Sequence, residues 1–255
     1  MNNPMPVLFI SHGAPDILLR QDPVVQTWRA QLRSLPRPER ILVVSAHWET
    51  ADFMAGGNRR RETIHDFHGF PPALYDYRYA PPADEAWATA LGRRLGLPCD
   101  HRRGLDHGAW VPLTVLYPEA DVPVSQLSVS RLRSLEDHLE LGRQLEPLRR
   151  EGVLIITSGV VVHNLRALDW RHPLAEPEPW AVAFMEAVDE AVRAGDTDAL
   201  LHPQNLPGAG RALPSLEHFT PLLMARGAAG EAPRVSAFAE TWRYCNLSQH
   251  SYRFD

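Results

Sequence analysis

The chain has 255 residues, enough for one large α/β domain or two small ones, and 44% of them are hydrophobic and 22% charged. A net charge of −5 gives no electrostatic reason to expect nucleic acid or an anionic membrane as a partner. Two cysteines without paired spacing argue against a disulfide framework and a thiolate zinc site, so the 12 histidines become the residues to follow.

The first residues lack a basic region followed by an apolar run, and no apolar stretch approaches membrane-spanning length; the expectation is a cytoplasmic protein. Val7-Leu8-Phe9-Ile10 reads as a strand buried on both faces, running into Ser11-His12-Gly13. Asp22-Pro23 reads as an N-cap with proline at the first helical position, opening a helix with Val24, Val25, Trp28 and Leu32 on one face. A second buried strand, Ile41-Leu42-Val43-Val44, delivers Ser45-Ala46-His47-Trp48-Glu49 at its end. Ligands of open α/β sheets bind beyond the carboxyl ends of strands. A right-handed β-α-β crossover places the ends bearing His12 and His47 on one sheet edge, and strands about 4.8 Å apart let two imidazoles converge on one ion.

Residues 56–82 form the oddest stretch. Arg59-Arg60-Arg61 reads as a solvated turn, and residues 63–79 carry dense aromatics among prolines and glycine. A long ordered loop of this kind suits a wall over an active site. Residues 84–95 form an amphipathic helix with Ala86, Trp87, Ala90 and Leu91 inward. Next, Gly104-Leu105-Asp106-His107-Gly108-Ala109-Trp110 is a loop before a short helix; His107, between Asp and Gly, reads as exposed, with Asp106 placed to orient it. Val122 to Ser128 alternates as a strand whose early Pro123 suggests an edge or a strand start. Ser134 caps a helix with Leu135, Leu139, Leu141, Leu145 and Leu148 as its apolar stripe.

A third buried strand, Val153-Leu154-Ile155-Ile156, ends in Thr157-Ser158-Gly159, with His163-Asn164 soon after. Residues 180–194 form an amphipathic helix closed by Gly195. A proline- and glycine-rich loop leads to Ser215 as an N-cap, with Glu217 and His218 in the first turn, where only one of the two can face a given ion. Strand-like segments over residues 234–239 and 245–254 close the chain. Without repeats, low-complexity tracts or linkers, residues 1–255 read as one α/β domain: a central, mostly parallel sheet flanked by helices, with the active site at the carboxyl ends of the strands.

These residues describe a mononuclear metal site. His12, His47 and one of Glu217 or His218 supply three ligands and leave positions open, and histidines without thiolates suit zinc, iron, copper or nickel. His107 and His163 remain as acid–base candidates, while His65, His68, His101, His138, His172, His202 and His250 read as surface or structural.

Several motifs, in order, carry a resemblance: Ser11-His12-Gly13-Ala14-Pro15, Ser45-Ala46-His47-Trp48, Asp66-Phe67-His68-Gly69-Phe70-Pro71, Gly104 to Trp110, Glu217-His218 with Pro221-Leu222, and the closing Ser251-Tyr252-Arg253-Phe254. The chain resembles the class III extradiol ring-cleavage dioxygenases over nearly its whole length, and within them the 4,5-DOPA dioxygenase-like branch. The resemblance implies His12, His47 and His218 as metal ligands, His163 as the acid–base group and a candidate fourth ligand, and His107 as a partner for substrate or dioxygen. It implies a catechol and O2 as substrates, a muconic semialdehyde-type product, and Fe(II) for activity, with Zn(II) able to fill the same ligands but inert in the reaction. An imidazole titrating near neutrality suits the proton transfer involved. The chain departs from the family pattern at Val160-Val161-Val162, at Leu213-Pro214 and at His68, changes expected to shape the pocket rather than the ligands. The alternatives from other classes are a non-oxidative zinc-binding protein and a zinc hydrolase that keep the fold; the retained His163 and His107 favour the dioxygenase.

Overall fold

The computed structural model describes residues 3–20, 22–33 and 35–255. The chain runs β1 (Val7–Ser11), α1 (Pro23–Leu32), β2 (Arg40–Thr50), β3 (Ala55–Gly56), α2 (Glu85–Leu95), α3 (His107–Leu116), β4 (Val124–Ser130), α4 (Leu135–Leu145), β5 (Val153–Gly159), α5 (Pro179–Ala194), α6 (Thr197–Leu201), α7 (Ala209–Ala212), α8 (Thr220–Ala228), β6 (Val235–Phe238), β7 (Trp242–Arg243), β8 (Leu247–Ser248) and β9 (Ser251–Phe254). Seven strands make one sheet in the order β3-β4-β2-β5-β1-β9-β6. Its centre, β4, β2, β5 and β1, is parallel, and the flanking strands are antiparallel.

The continuous apolar runs are explained by burial on both faces. Alternate strand residues point to opposite sides. Val7 and Phe9 of β1, Leu42 and Val44 of β2, and Val153 and Ile155 of β5 join the layer covered by α4, α5 and α8. Leu8 and Ile10, Ile41 and Val43, and Leu154 and Ile156 join the layer covered by α1 and α3. The same alternation, carried past the apolar runs, puts Ser45 and Ser158 on the α3 side of the sheet. No helix among the described residues is long and apolar enough to cross a membrane.

Local chemistry sets the element ends much as read from the sequence. Asp22 accepts from the Val24 N–H with Pro23 at the first position, Ser134 and Asp137 form a reciprocal capping box, and Gly195 closes α5 at φ 70°.

Several expectations are corrected. β1 and β2 are not neighbours; β5 lies between them. β2 carries on through the polar stretch Ser45 to Glu49 and one residue beyond, to Thr50, with an irregularity between Ser45 and Glu49 in its pairing with β4. Of the two alternatives for Pro123, the strand start holds and the edge does not: β4 starts just after it and has all seven residues buried between β3 and β2. In α2 the buried positions are Ala88, Leu91 and Gly92, whereas Ala86 and Ala90 are exposed. Trp87, half-buried, packs against the core as Leu91 does, with the Arg40 guanidinium 5.0 Å from its ring centroid, so the expected face holds at these two positions and fails at the two alanines. Arg59 pairs with Glu85 and Arg61 donates to the carbonyls of Ala80 and Pro81, so the arginine turn staples the loop instead of only solvating it. Ser215 does not cap α8, which starts at Thr220; Glu217 and His218 occupy the turn before it.

Candidate active site

Three imidazoles meet over the carboxyl edge of β5. His12 follows β1, His47 sits in the irregular part of β2, and His218 sits in the turn before α8. The Nε2 atoms of His12 and His47 are 3.1 Å apart, those of His47 and His218 are 3.2 Å apart, and all three lie within 4.8 Å of one another. This convergence across an intervening strand depends on small residues. Ser158 stands on β5 level with Ile10 of β1 and Ser45 of β2. A Cβ on Gly159 would lie 2.3 Å from the His218 carbonyl oxygen, and one on Gly108 would lie 2.5 Å from Ser45 Oγ. Both glycines are therefore required by close backbone approach.

Each imidazole is anchored through its other nitrogen. Ser158 Oγ lies 2.9 Å from His12 Nδ1 and donates its one hydrogen to the Gly108 carbonyl at 2.5 Å, so it must accept from His12 Nδ1–H. Asp66 Oδ2 lies 3.3 Å from His47 Nδ1, and Glu217 Oε1 lies 3.0 Å from His218 Nδ1. Three Nδ1–H tautomers leave three Nε2 lone pairs facing one point, where lone pairs repel unless a cation separates them. An ion held at about 2.1 Å from each nitrogen spans donor–donor edges of roughly 3.0 to 3.4 Å, which brackets the distances here. The donor set and its hydrogen-bonded anchors thus fit a divalent transition metal.

Two further histidines flank this trio. His107, at the first turn of α3, lies with its ring centroid 4.0 Å from that of His47. His163 stacks on His218 with centroids 3.7 Å apart and planes 16° from parallel. The expectation of an exposed His107 oriented by Asp106 is corrected on both points. His107 is buried, and its Nδ1 and backbone N–H lie 2.9 and 3.0 Å from Asp66 Oδ1. Asp106 instead caps α3 through the Ala109 N–H, accepts from Ser45 Oγ at 2.6 Å and pairs with Arg103.

Burial and crowding disfavour protonation of three of these imidazoles. Burial, and then the neighbouring imidazoles, hold His12 and His47 well below the ordinary histidine range. Burial and the adjacent His218 hold His163 at about 3, not near neutrality as read from the sequence. Burial works against ionisation of Glu217 and Asp66. Hydrogen bonds from His218 and Ser215 nonetheless bring Glu217 down to about 2, and those from His107 lower Asp66.

The cluster opens into a cavity of about 460 Å³, lined on one side by Phe67, His68 and Phe70 and on the other by Leu165, Leu168, Trp170 and Leu247. The aromatic loop is thus a wall of the site. Behind it, Phe67 meets Tyr75 and Trp110, and Tyr77 stacks on Trp110. His68 lines the cavity, as expected of a departure that touches the pocket. The bulky Val160, Val161 and Val162 do not shape the pocket as expected; all three are buried in apolar clusters behind it. His138, buried, accepts from the Ser130 N–H, and His101 accepts from the Gly57 N–H; both are structural, while His172 and His202 are exposed. His65 packs edge-on to Trp110, and His250 bonds Ser248. Sequence reasoning missed the anchoring roles of Asp66 and Ser158, although both lie inside motifs that it singled out.

A histidine cluster able to hold a metal ion stands at the strand ends of a parallel-centred sheet and faces a cavity lined by aromatic side chains. Residues 6–255 match the family model described as the catalytic LigB subunit of aromatic ring-opening dioxygenase, and the chain belongs to that family of extradiol ring-cleaving oxidoreductases. A 4,5-DOPA dioxygenase extradiol of Escherichia coli is 39% identical over 231 residues, covering 88% of this chain and 85% of that protein. One of Beta vulgaris is 38% identical over 258 residues, covering 96% and 95%. The crystal structure of an uncharacterized Escherichia coli protein matches with a TM-score of 0.85 at 32% identity, covering 98% of this chain and 100% of that one.

Proposed function

We propose that this dioxygenase binds iron(II) through His12, His47 and His218 and opens the ring of a catechol with O2, with DOPA, the compound in the names of its relatives, as the first substrate to test. The observation that carries the reading is the convergence of three Nε2 atoms whose Nδ1 atoms face Ser158, Asp66 and Glu217. Iron(II) in these donors supplies redox-active Lewis acidity, whereas zinc supplies the Lewis acidity alone and leaves the enzyme inert.

The chain's own residues do the rest. His163 packs on His218 and His107 on His47, and each offers a ring nitrogen as acceptor for a proton from a catechol hydroxyl. A bound catecholate raises the proton affinity of His163 by its negative charge, and the proton is then returned as the ring opens. Phe67, Phe70 and Trp170 offer flat apolar faces for the ring. The net reaction adds both oxygen atoms and breaks the ring carbon–carbon bond beside the diol, giving a muconic semialdehyde-type product.

The test is anaerobic loading with iron(II), then catechol addition under an oxygen electrode with visible absorbance. One O2 consumed per catechol with a new yellow chromophore, absent in the zinc-loaded protein, is the expected result. No uptake across a panel of catechols, DOPA included, overturns the reading.

A further inference from the structure

Asp66 touches both a member of the metal-facing trio, His47, and the flanking His107. Its Oδ2 lies 3.3 Å from His47 Nδ1, and its Oδ1 lies 2.9 Å from His107 Nδ1 and 3.0 Å from the His107 backbone nitrogen. A carboxylate is acceptor-only at both oxygens, so both hydrogen bonds with His107 are donations to it and fix His107 as the Nδ1–H tautomer, while the 3.3 Å approach of Oδ2 to His47 Nδ1 favours a proton on that nitrogen too. The Nε2 of His47 is left to face the trio, and the Nε2 of His107 is left as the lone-pair nitrogen of a ring that lines the cavity. Asp66 is itself held by the aromatic loop. The Trp110 indole N–H donates to the Ile64 carbonyl at 3.0 Å, the Ile64 N–H donates to the Leu105 carbonyl at 2.7 Å, and Phe67 next in sequence lines the cavity.

The geometry points to Asp66 as a positioning residue that ties metal retention to the proton-accepting state of His107, through one carboxylate with an oxygen for each. The inference rests on the reading of His47 as a ligand and His107 as an acid–base group. No amide can replace this carboxylate. If the carbonyl of an asparagine takes the Oδ1 place, its NH2 faces the His47 Nδ1–H, donor against donor. If the NH2 takes the Oδ1 place, His107 must change tautomer and loses its free Nε2 lone pair.

Asp66→Asn and Asp66→Ala separate the two oxygens. Because Oδ1 receives two donors, the asparagine carbonyl settles there. The zinc-loaded Asp66→Asn protein is expected to keep the His107 Nδ1–H tautomer by nitrogen-15 imidazole resonances and to bind zinc about 10–100-fold more weakly. Asp66→Ala is expected to lose zinc affinity to a similar degree and also to shift His107 toward the Nε2–H tautomer. Its kcat at saturating iron should fall at least tenfold below that of Asp66→Asn. Far-ultraviolet circular dichroism reports the fold, and Asp66→Asn carries the test alone if the alanine variant does not fold. Zinc affinity unchanged within twofold in Asp66→Asn, or a His107 tautomer unaltered in a folded Asp66→Ala, overturns the proposal. His47→Ala is the control for the underlying reading: if it keeps zinc, the ligand assignment fails, and if it loses zinc while the Asp66 variants do not, the coupling alone fails.

Discussion

His163 lies flat on His218, with ring centroids 3.7 Å apart and planes 16° from parallel. Stacking aims the edge nitrogens of the two rings past one another rather than at each other. His163 is therefore adjacent to the trio without sharing its point of convergence, and among the described residues neither of its ring nitrogens makes a hydrogen bond. A side chain so placed can exchange a proton with a substrate at the trio without being needed to hold an ion.

His163→Gln keeps a polar head of similar reach and removes the proton exchange. Near-native metal content and catechol binding are expected, with ring cleavage slowed by about 10²–10⁴-fold. Metal analysis and single-turnover kinetics check this. A loss of metal as deep as in His12→Ala makes His163 a fourth ligand, and unchanged turnover moves the proton acceptor to His107.

Glu217 and His218 are adjacent, yet the turn before α8 gives them different tasks. His218 presents Nε2 to the trio while Glu217 accepts at Nδ1. His12→Ala, His47→Ala and His218→Gln are each expected to lose bound metal through purification and keep their circular dichroism, since the buried strands carry stability and the site sits at their ends. Glu217→Gln is expected to retain metal with about 10-fold weaker affinity. Metal lost only from the Glu217 variant makes the carboxylate the third ligand.

How much of this was readable in advance follows from the range of the interactions. The strands were legible because four-residue apolar runs flanked by helices can only be buried on both faces, and His12 and His47 stood out as polar ends on such runs. Strand order was not legible, because the insertion of β5 between β1 and β2 is decided by pairing between segments far apart in the chain. It also decides the site: two imidazoles cross a strand only because that strand ends in Ser158 and Gly159. His107 misled for a local reason. Between Asp and Gly it reads as exposed, but Asp106 caps α3 and Gly108 admits the close approach to β2 that buries it. Asp66 sits in a loop with no periodicity, 41 residues from the His107 that it holds, and nothing local marks the pairing.

The lowered values of three site imidazoles set a pH dependence for the metal-free protein. His12, His47 and His163 have folded-state values below the unfolded 6.5. The unfolded chain therefore binds more protons below that pH, and stability is fully present above about 6.5 and lost as the pH falls further. Each such proton contributes a slope of about 1.4 kcal/mol per pH unit. Urea unfolding from pH 8 to pH 5 is expected to show a plateau and then a decline, shallower by about one proton in His163→Gln. A midpoint independent of pH across that range contradicts the burial of neutral imidazoles. Zinc raises stability most at the high end, where no proton competes for the ligands.

Gly159 offers the most direct test of how the backbone builds the site. It ends β5 directly under the turn that carries His218, where a Cβ would stand 2.3 Å from the His218 carbonyl oxygen and 3.2 Å from Pro221 Cγ. The same carbonyl accepts the Val160 N–H at 3.0 Å, so the turn cannot retreat without breaking the bond that seats it. Gly159→Ala is therefore expected to cost about 1–3 kcal/mol by overpacking. It should also displace His218 from the trio, weakening zinc binding at least tenfold. Gly210 in α7 is the contrast: a Cβ there meets nothing within 4 Å, so Gly210→Ala should be neutral or stabilising by up to about 1 kcal/mol, with zinc affinity unchanged. Thermal unfolding and zinc titration of the two variants side by side decide the matter. A Gly159→Ala protein with native affinity shows that the turn carrying His218 can shift freely, and that the close approach of β5 is not what holds the third imidazole in place.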